Sequence, residues 1–220
     1  MTLISRLKLD LARLAAVGLL GLAPLAAHAQ SFSADVMYSA GLARPGAPSA
    51  PAARTPREPS KLYVSKDRLR LEMNGITGTV LLVNGGEGTA FAVFPSRKAY
   101  QPLVGPPSEY FWVENAADAC SSWQKVMTQR ITCEKAGAEE VAGRQTVKYV
   151  GKNAAGAPIA AVWIDSALKF SIKWQNVDAG AELRDIKLAQ QAEELFSVPS
   201  EYSLLTPLKS KTKGFGQKSH

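Results

Sequence analysis

The chain has 220 residues, of which 46% are hydrophobic and 20% charged, with a formal net charge of +7. That size suits one domain with a core large enough to be stable alone. Four of the positive charges, Lys209, Lys211, Lys213 and Lys218, fall in the last dozen residues. The basic excess therefore forms no folded basic face, which nucleic-acid binding would need.

The N-terminus has the three parts of an export signal. Arg6, Lys8 and Arg13 make a basic start with Asp10 as the only acid. An apolar run from Leu14 to Leu25 follows, too short to span a bilayer. Ala27-His28-Ala29 then gives the small-x-small pattern of a cleavage site. Residues 1–29 are read as a cleavable secretory signal, cut between Ala29 and Gln30, with a periplasmic mature protein of 191 residues. Removing three basic residues and one acid lowers the formal charge from +7 to +5. No cysteine follows the cut to carry a lipid anchor, and no later run of ~18 apolar residues predicts a transmembrane segment.

From Phe32 onward the chain alternates with period two, the mark of strands with one buried face. Phe32, Ala34, Val36 and Tyr38 alternate with Ser33, Asp35, Met37 and Ser39. Residues 41–60 break the pattern with Pro45, Pro48, Pro51, Pro56 and Pro59. Proline cannot donate to a ladder, so a mobile insertion is expected there. Strands are expected over 61–65, 68–73, 77–83, 89–94 and 98–103, with turns at Lys66-Asp67, Asn74-Gly75 and Asn84-Gly85-Gly86. Ala116, Ala119, Cys120, Trp123, Val126 and Met127 fall at helical spacing. Asn115 can cap that helix, and Asp118 three residues later fits a capping-box variant. Strands resume over 129–135, 139–141, 145–152, 158–165, 168–175 and 182–188. A short helical turn over 191–196 follows, and residues 206–220 form a disordered basic tail. The sum is about eleven strands in a mainly β (α+β) domain over residues 30–205. Short connections make the sheet antiparallel.

Cys120 and Cys133 are the mature chain's two cysteines. An even count in an oxidising compartment points to a disulfide, worth about 3 kcal/mol for a loop of this length in the chain-entropy model. The pair is not a Cys-x-x-Cys redox motif, and with His220 the only mature histidine no metal site is expected.

Catalytic signatures are absent: no Ser-His-acid arrangement, Gly-x-Ser-x-Gly elbow, Walker loop or dinucleotide fingerprint occurs. Gly85-Gly86-Glu87-Gly88 joins two strands and opens no helix, so it reads as a hairpin turn, not a phosphate cradle. Glu139-Glu140 are adjacent on a strand and point to opposite faces. Glu193-Glu194 lie in a polar turn. A hydrolase using only carboxylates such as Glu139, Glu140 and Asp165 is the remaining enzymatic reading. The expectation is a non-enzyme without cofactor. What remains is apolar surface: Leu69, Leu71, Met73, Leu81, Val83, Phe91, Val93, Tyr149, Val162, Ile164, Phe170, Ile172 and Trp174. They are either plain core or the lining of a ligand pocket in a curved sheet.

Several phrases resemble a known family. They are Lys61-Leu62-Tyr63-Val64, Arg68-Leu69-Arg70-Leu71-Glu72-Met73, and Val162-Trp163-Ile164-Asp165 followed by Leu168-Lys169-Phe170. Glu182-Leu183-Arg184-Asp185-Ile186 and Leu195-Phe196-Ser197-Val198-Pro199 with Tyr202 complete the set. Together they resemble uncharacterised secreted bacterial domains related to the periplasmic lipoprotein carriers of the LolA/LolB type. The resemblance implies a strongly curved, unclosed half-barrel with helices over its mouth and an apolar interior for lipoprotein acyl chains. It carries over no catalytic or binding residue. The functional expectation is a monomeric periplasmic protein that holds a lipid or acyl chain. The alternative is an envelope protein-interaction module that uses a sheet edge or the Pro-rich insertion.

Overall fold

The computed structural model describes residues 31–42, 58–74, 77–103, 111–126 and 131–205. The expected signal with its Ala29–Gln30 cut, most of the Pro-rich insertion, Gly75, Met127 and the basic tail lie outside the described residues. The described chain forms one sheet of twelve strands. The first six are β1 (Phe32–Ala40), β2 (Ser60–Ser65), β3 (Arg68–Glu72), β4 (Val80–Asn84), β5 (Thr89–Phe94) and β6 (Ala99–Leu103). A helix, α1 (Ala119–Val126), precedes β7 (Thr132–Val141), β8 (Arg144–Lys152), β9 (Pro158–Asp165), β10 (Phe170–Asn176), β11 (Ala179–Leu188) and β12 (Ser203–Leu204). The spatial order is β12-β6-β5-β4-β3-β2-β1-β11-β10-β9-β8-β7, so the sheet stays open with β12 and β7 at its edges. Every described neighbour pair is antiparallel except β12 beside β6.

The inner face follows from the alternation. Phe32 lies opposite Val64, Val64 opposite Leu69, Leu69 opposite Val83, and Val83 opposite Ala90. All five are buried, which makes one apolar row across β1 to β5. Complete burial of a Val, Leu or Phe side chain stabilises the fold by about 1.5–3 kcal/mol. The Phe32 and Phe170 rings meet edge to face with centroids 5.2 Å apart. Because β11 separates β1 from β10, a flat sheet would hold these strands roughly 10 Å apart. The sheet therefore curves toward this face.

On the opposite face, Val80, Leu82 and Val93 are buried with Phe91 and Tyr100 packed around them. The C-terminal segment covers this cluster with Val198 and Tyr202. Arg68 pairs with Glu193 at 2.5 Å and lies 4.9 Å from the centre of the Phe196 ring. Arg70 donates to the Leu195 carbonyl at 3.1 Å. Past the 3-10 turn Glu193–Phe196, β12 joins the outer side of β6.

Several boundaries differ from the sequence expectation, and four of the differences have a clear local reason. The two strands expected over 129–135 and 139–141 are replaced, within the described residues, by one strand, β7 (Thr132–Val141), because a bulge between Lys135 and Gly137 absorbs the break. Gly137 there has φ +132°, a conformation most residues avoid. Strand β4 starts at Val80, since Thr77 and Gly78 donate back to the Met73 carbonyl in a turn. Strand β10 starts at Phe170 because the Asp165 carboxylate accepts from the amides of Ala167 and Leu168 and holds a turn. Asp118, not Asn115, caps α1: its Oδ1 accepts from the Ser121 amide at 3.3 Å, while Asn115 Oδ1 accepts from Ala117. The antiparallel sheet of about eleven strands is as expected, with one short addition. The twelfth strand, β12, is two residues long and parallel to β6, too short to leave a periodic signal.

The β7–β8 hairpin turns at Ala142 and Gly143, with φ +49° and +74°. A left-handed alanine costs about 1–2 kcal/mol, whereas asparagine tolerates that region. Ala142→Asn is expected to raise the unfolding free energy by about 0.5–1 kcal/mol. Urea denaturation followed by circular dichroism would measure the change.

Candidate functional site

The space between α1 and the inner face of β7 to β10 is not filled. Its floor is made of small residues: Gly151 on β8 lies opposite Ala160 on β9 and opposite Cys133 on β7. A Cβ on Gly151 would meet Ile131 Cγ2 at 3.1 Å, so the floor accepts no larger residue without movement. Around it stand Phe111, Trp123, Tyr149, Val162, Ser171 and Trp174. The space is partly open to solvent and has a volume of about 250 Å³. None of these lining residues carries a formal charge.

The roof is held at three places. Cys120 on α1 and Cys133 on β7 form the disulfide expected from the sequence. Tyr149 donates its hydroxyl to the Ala116 carbonyl at 2.8 Å, and Lys135 donates to the Ala117 carbonyl at 3.3 Å. Ala119 and Trp123 are buried one helical turn apart, and the Trp123 ring meets Tyr149 edge to face at 5.5 Å. Burial pushes the Tyr149 phenol above its ordinary value, although a backbone contact to Ala119 partly opposes this. The hydroxyl stays neutral at physiological pH. Before the helix, the chain crosses to β10: Val113 donates to the Lys169 carbonyl at 2.9 Å, and Ser171 donates to the Phe111 carbonyl at 3.0 Å.

The apolar residues singled out in the sequence divide into four groups. Tyr149, Val162 and Trp174 line the cavity, and Ile164 is buried beside them under α1. Leu69, Val83, Phe170 and Ile172 belong to the filled core, with Leu71 and Leu81 packed against it. Met73 sits half-buried just past the end of β3. Phe91 and Val93 lie on the opposite face, beneath the C-terminal segment. The sequence reading did not select Phe111, Ile131, Gly151, Ala160 or Ser171 as lining, nor Trp123 and Cys133 in that role. A signal for the floor did exist: small residues stand at inward positions of adjacent strands, where large apolar ones are the rule.

The carboxylates are engaged elsewhere. Asp165 is buried, ion-paired with Arg144, and bonded to the turn amides that follow it. Glu139 lies on the other face from the cavity, where Trp163 donates Nε1–H at 2.5 Å and Lys148 donates at 2.9 Å. The ammonium groups of Lys148 and Lys173 stand 4.8 and 4.9 Å from the Trp163 ring centre. Among the described residues no group of three His, Cys, Asp or Glu side chains could hold a metal ion. No helix among them is long and apolar enough to cross a membrane.

No protein-family model and no curated protein matches the sequence. Several solved structures are similar to this chain. An uncharacterised conserved protein of Thermus thermophilus has TM-score 0.48 at 10% identity, over 80% of this chain and 90% of that one. PNGF-II has TM-score 0.43 at 11% identity, over 76% of this chain and 30% of the PNGF-II chain. A LolA-superfamily protein of Nitrosomonas europaea has TM-score 0.33 at 10% identity, over 76% and 90% of the two chains.

The Trp163 and Lys148 hydrogen bonds both favour ionised Glu139 and hold its carboxyl below the ordinary range. Such a depressed value adds stability above the unfolded-state pKa, lost as pH falls through the folded-state value. Trp163→Phe removes the larger cause, so the Glu139 titration midpoint should move up toward that of a free glutamate. Carboxyl-carbon NMR across the acid range would report this, and an unmoved midpoint would contradict it.

Proposed function

We propose that this chain is an exported periplasmic binding protein of carrier type, holding a short apolar group beneath α1. The end of an acyl chain is the group that fits best. The uncharged cavity supports this reading most directly, since it is walled by aromatic rings and floored by Gly151 and Ala160. A recess this apolar beside a closely packed core fits a binding role. Its volume of about 250 Å³ lies between a 150 Å³ cavity that takes benzene and the 300–1,000 Å³ of typical ligand sites. That size suits the terminal part of a chain better than a whole lipid. Two sequence features agree with it: the signal-like residues 1–29 and the strand phrases that resemble LolA/LolB-type carriers.

Protein purified without detergent should yield a lipid on extraction and mass spectrometry, and the emptied protein should take up a dansyl-labelled fatty acid. Ala160→Phe fills the floor and should weaken uptake at least tenfold while leaving the circular dichroism unchanged. A chain that carries no lipid and takes up no probe is not a carrier of this kind.

A further inference from the structure

We infer that the Cys120–Cys133 disulfide is a latch on this cavity, so that its reduction frees the roof and releases the bound group. This rests on the carrier reading and adds regulation to the same site. By itself α1 is weak. A helix of eight residues is marginal in water and depends on what it packs against. The residues leading into the helix make hydrogen bonds to the sheet at Phe111, Val113, Ala116 and Ala117. The Cys120–Cys133 bond is the covalent tie between α1 itself and the sheet, beside the packing of Ala119 and Trp123. The bond also lies at the cavity wall, because Cys133 lines the cavity and Cys120 packs against the Trp123–Tyr149 cluster.

Its position makes the bond reachable. Strand β7 is an edge of the sheet, with only β8 as a neighbouring strand in the described order. Both cysteines are half-buried, not sealed in the core. The sheet's main apolar row runs through β1 to β5, far along the strand order from β7, so it does not depend on this bond. Loss of the bond would thus loosen the roof before the sheet.

The chemistry is thiol–disulfide exchange with a dithiol, either dithiothreitol or a thioredoxin-like protein. A thiolate of the dithiol attacks one sulfur, forming a mixed disulfide and expelling the other cysteine as a thiolate. The second thiol of the dithiol then displaces the first cysteine. Two electrons and two protons pass to the protein, which ends with two thiols, and the dithiol ends as a disulfide.

The test uses the full chain and two readouts. Hydrogen exchange followed by mass spectrometry reports the α1 peptide with no ligand present, and a dansyl-labelled fatty acid reports the cavity. On complete reduction, verified by intact mass, exchange in α1 should rise at least tenfold while β1 to β3 keep their protection. Probe affinity should fall at least tenfold and return on reoxidation. The double variant Cys120→Ser with Cys133→Ser should match the reduced protein. If that variant does not fold, reversible reduction of the native chain still decides the matter. A disulfide that dithiothreitol cannot reduce in the folded protein overturns the inference. So does exchange that rises throughout the sheet, or affinity that stays within twofold after reduction. If the oxidised chain takes up no probe, the carrier reading fails, and α1 exchange alone decides the latch.

Discussion

The pairing of β1 with β11 is the contact on which the rest of the sheet depends. Strand β1 is paired on both sides, with Phe32 opposite Val64 of β2 and opposite Leu188 of β11. Two meanders, β2 to β6 and β7 to β11, are built almost wholly from local hairpins. Only β1 joins them into a single sheet, by bringing together residues from the two ends of the described chain. Such long-range pairing carries the entropy cost of closing a long loop. A bulge between Ser33 and Asp35, where Asp185 has φ +50°, lets this long pairing follow the curve.

Once the sheet is one surface, its two halves solve the burial problem differently. Over β1 to β5, large apolar side chains face one another and fill the inner face, as the Phe32-to-Ala90 row shows. Over β7 to β10 the floor shrinks to Gly151 and Ala160, and the rings around it do not reach across. An empty space lowers stability, because wall atoms lose dispersion contacts on one side. It persists here because the walls are fixed by the Trp123–Tyr149 ring contact, the Tyr149 hydrogen bond to Ala116 and the disulfide.

Much of this was readable in the residues. Clean alternation, as in Phe32 to Tyr38 and Arg68 to Met73, placed the strands and their inner faces because the period is a local property. The disulfide followed from an even pair of cysteines read together with the expected export signal. What alternation could not supply was which face wins where both are apolar. In β4, Val80 and Leu82 face one side while Leu81 and Val83 face the other, and the sequence does not rank them. Phe91 and Val93 fell to the outer side because the C-terminal segment covers them, a contact more than a hundred residues distant in sequence. The cavity was partly missed for a related reason. A hollow is made by what is small, and Gly151 and Ala160 carry little signal one residue at a time. Asp118 displaced Asn115 as the helix cap because both residues suit the role, and only the turn at Asn115–Asp118 decides between them.

A sheet that does not close has two faces and two edges to protect, where a barrel has no edge at all. At the β6 end, the C-terminal segment covers the outer face and β12 caps the edge. Its fastenings are spread over Arg68, Arg70, Val198, Tyr202 and the β12 ladder. At the β7 end, the edge carries Glu134, Lys135, Glu139, Glu140 and a bulge, features that discourage pairing with another chain. There α1 covers the inner face, held by one covalent bond together with the packing of Ala119 and Trp123. Distributed fastening yields only when the whole region unfolds. A covalent tie can be undone by one chemical event, and this one is placed over the part of the sheet that is hollow. The position of the hollow beside the edge strand and the covalent tie over it are the two observations behind the proposed latch.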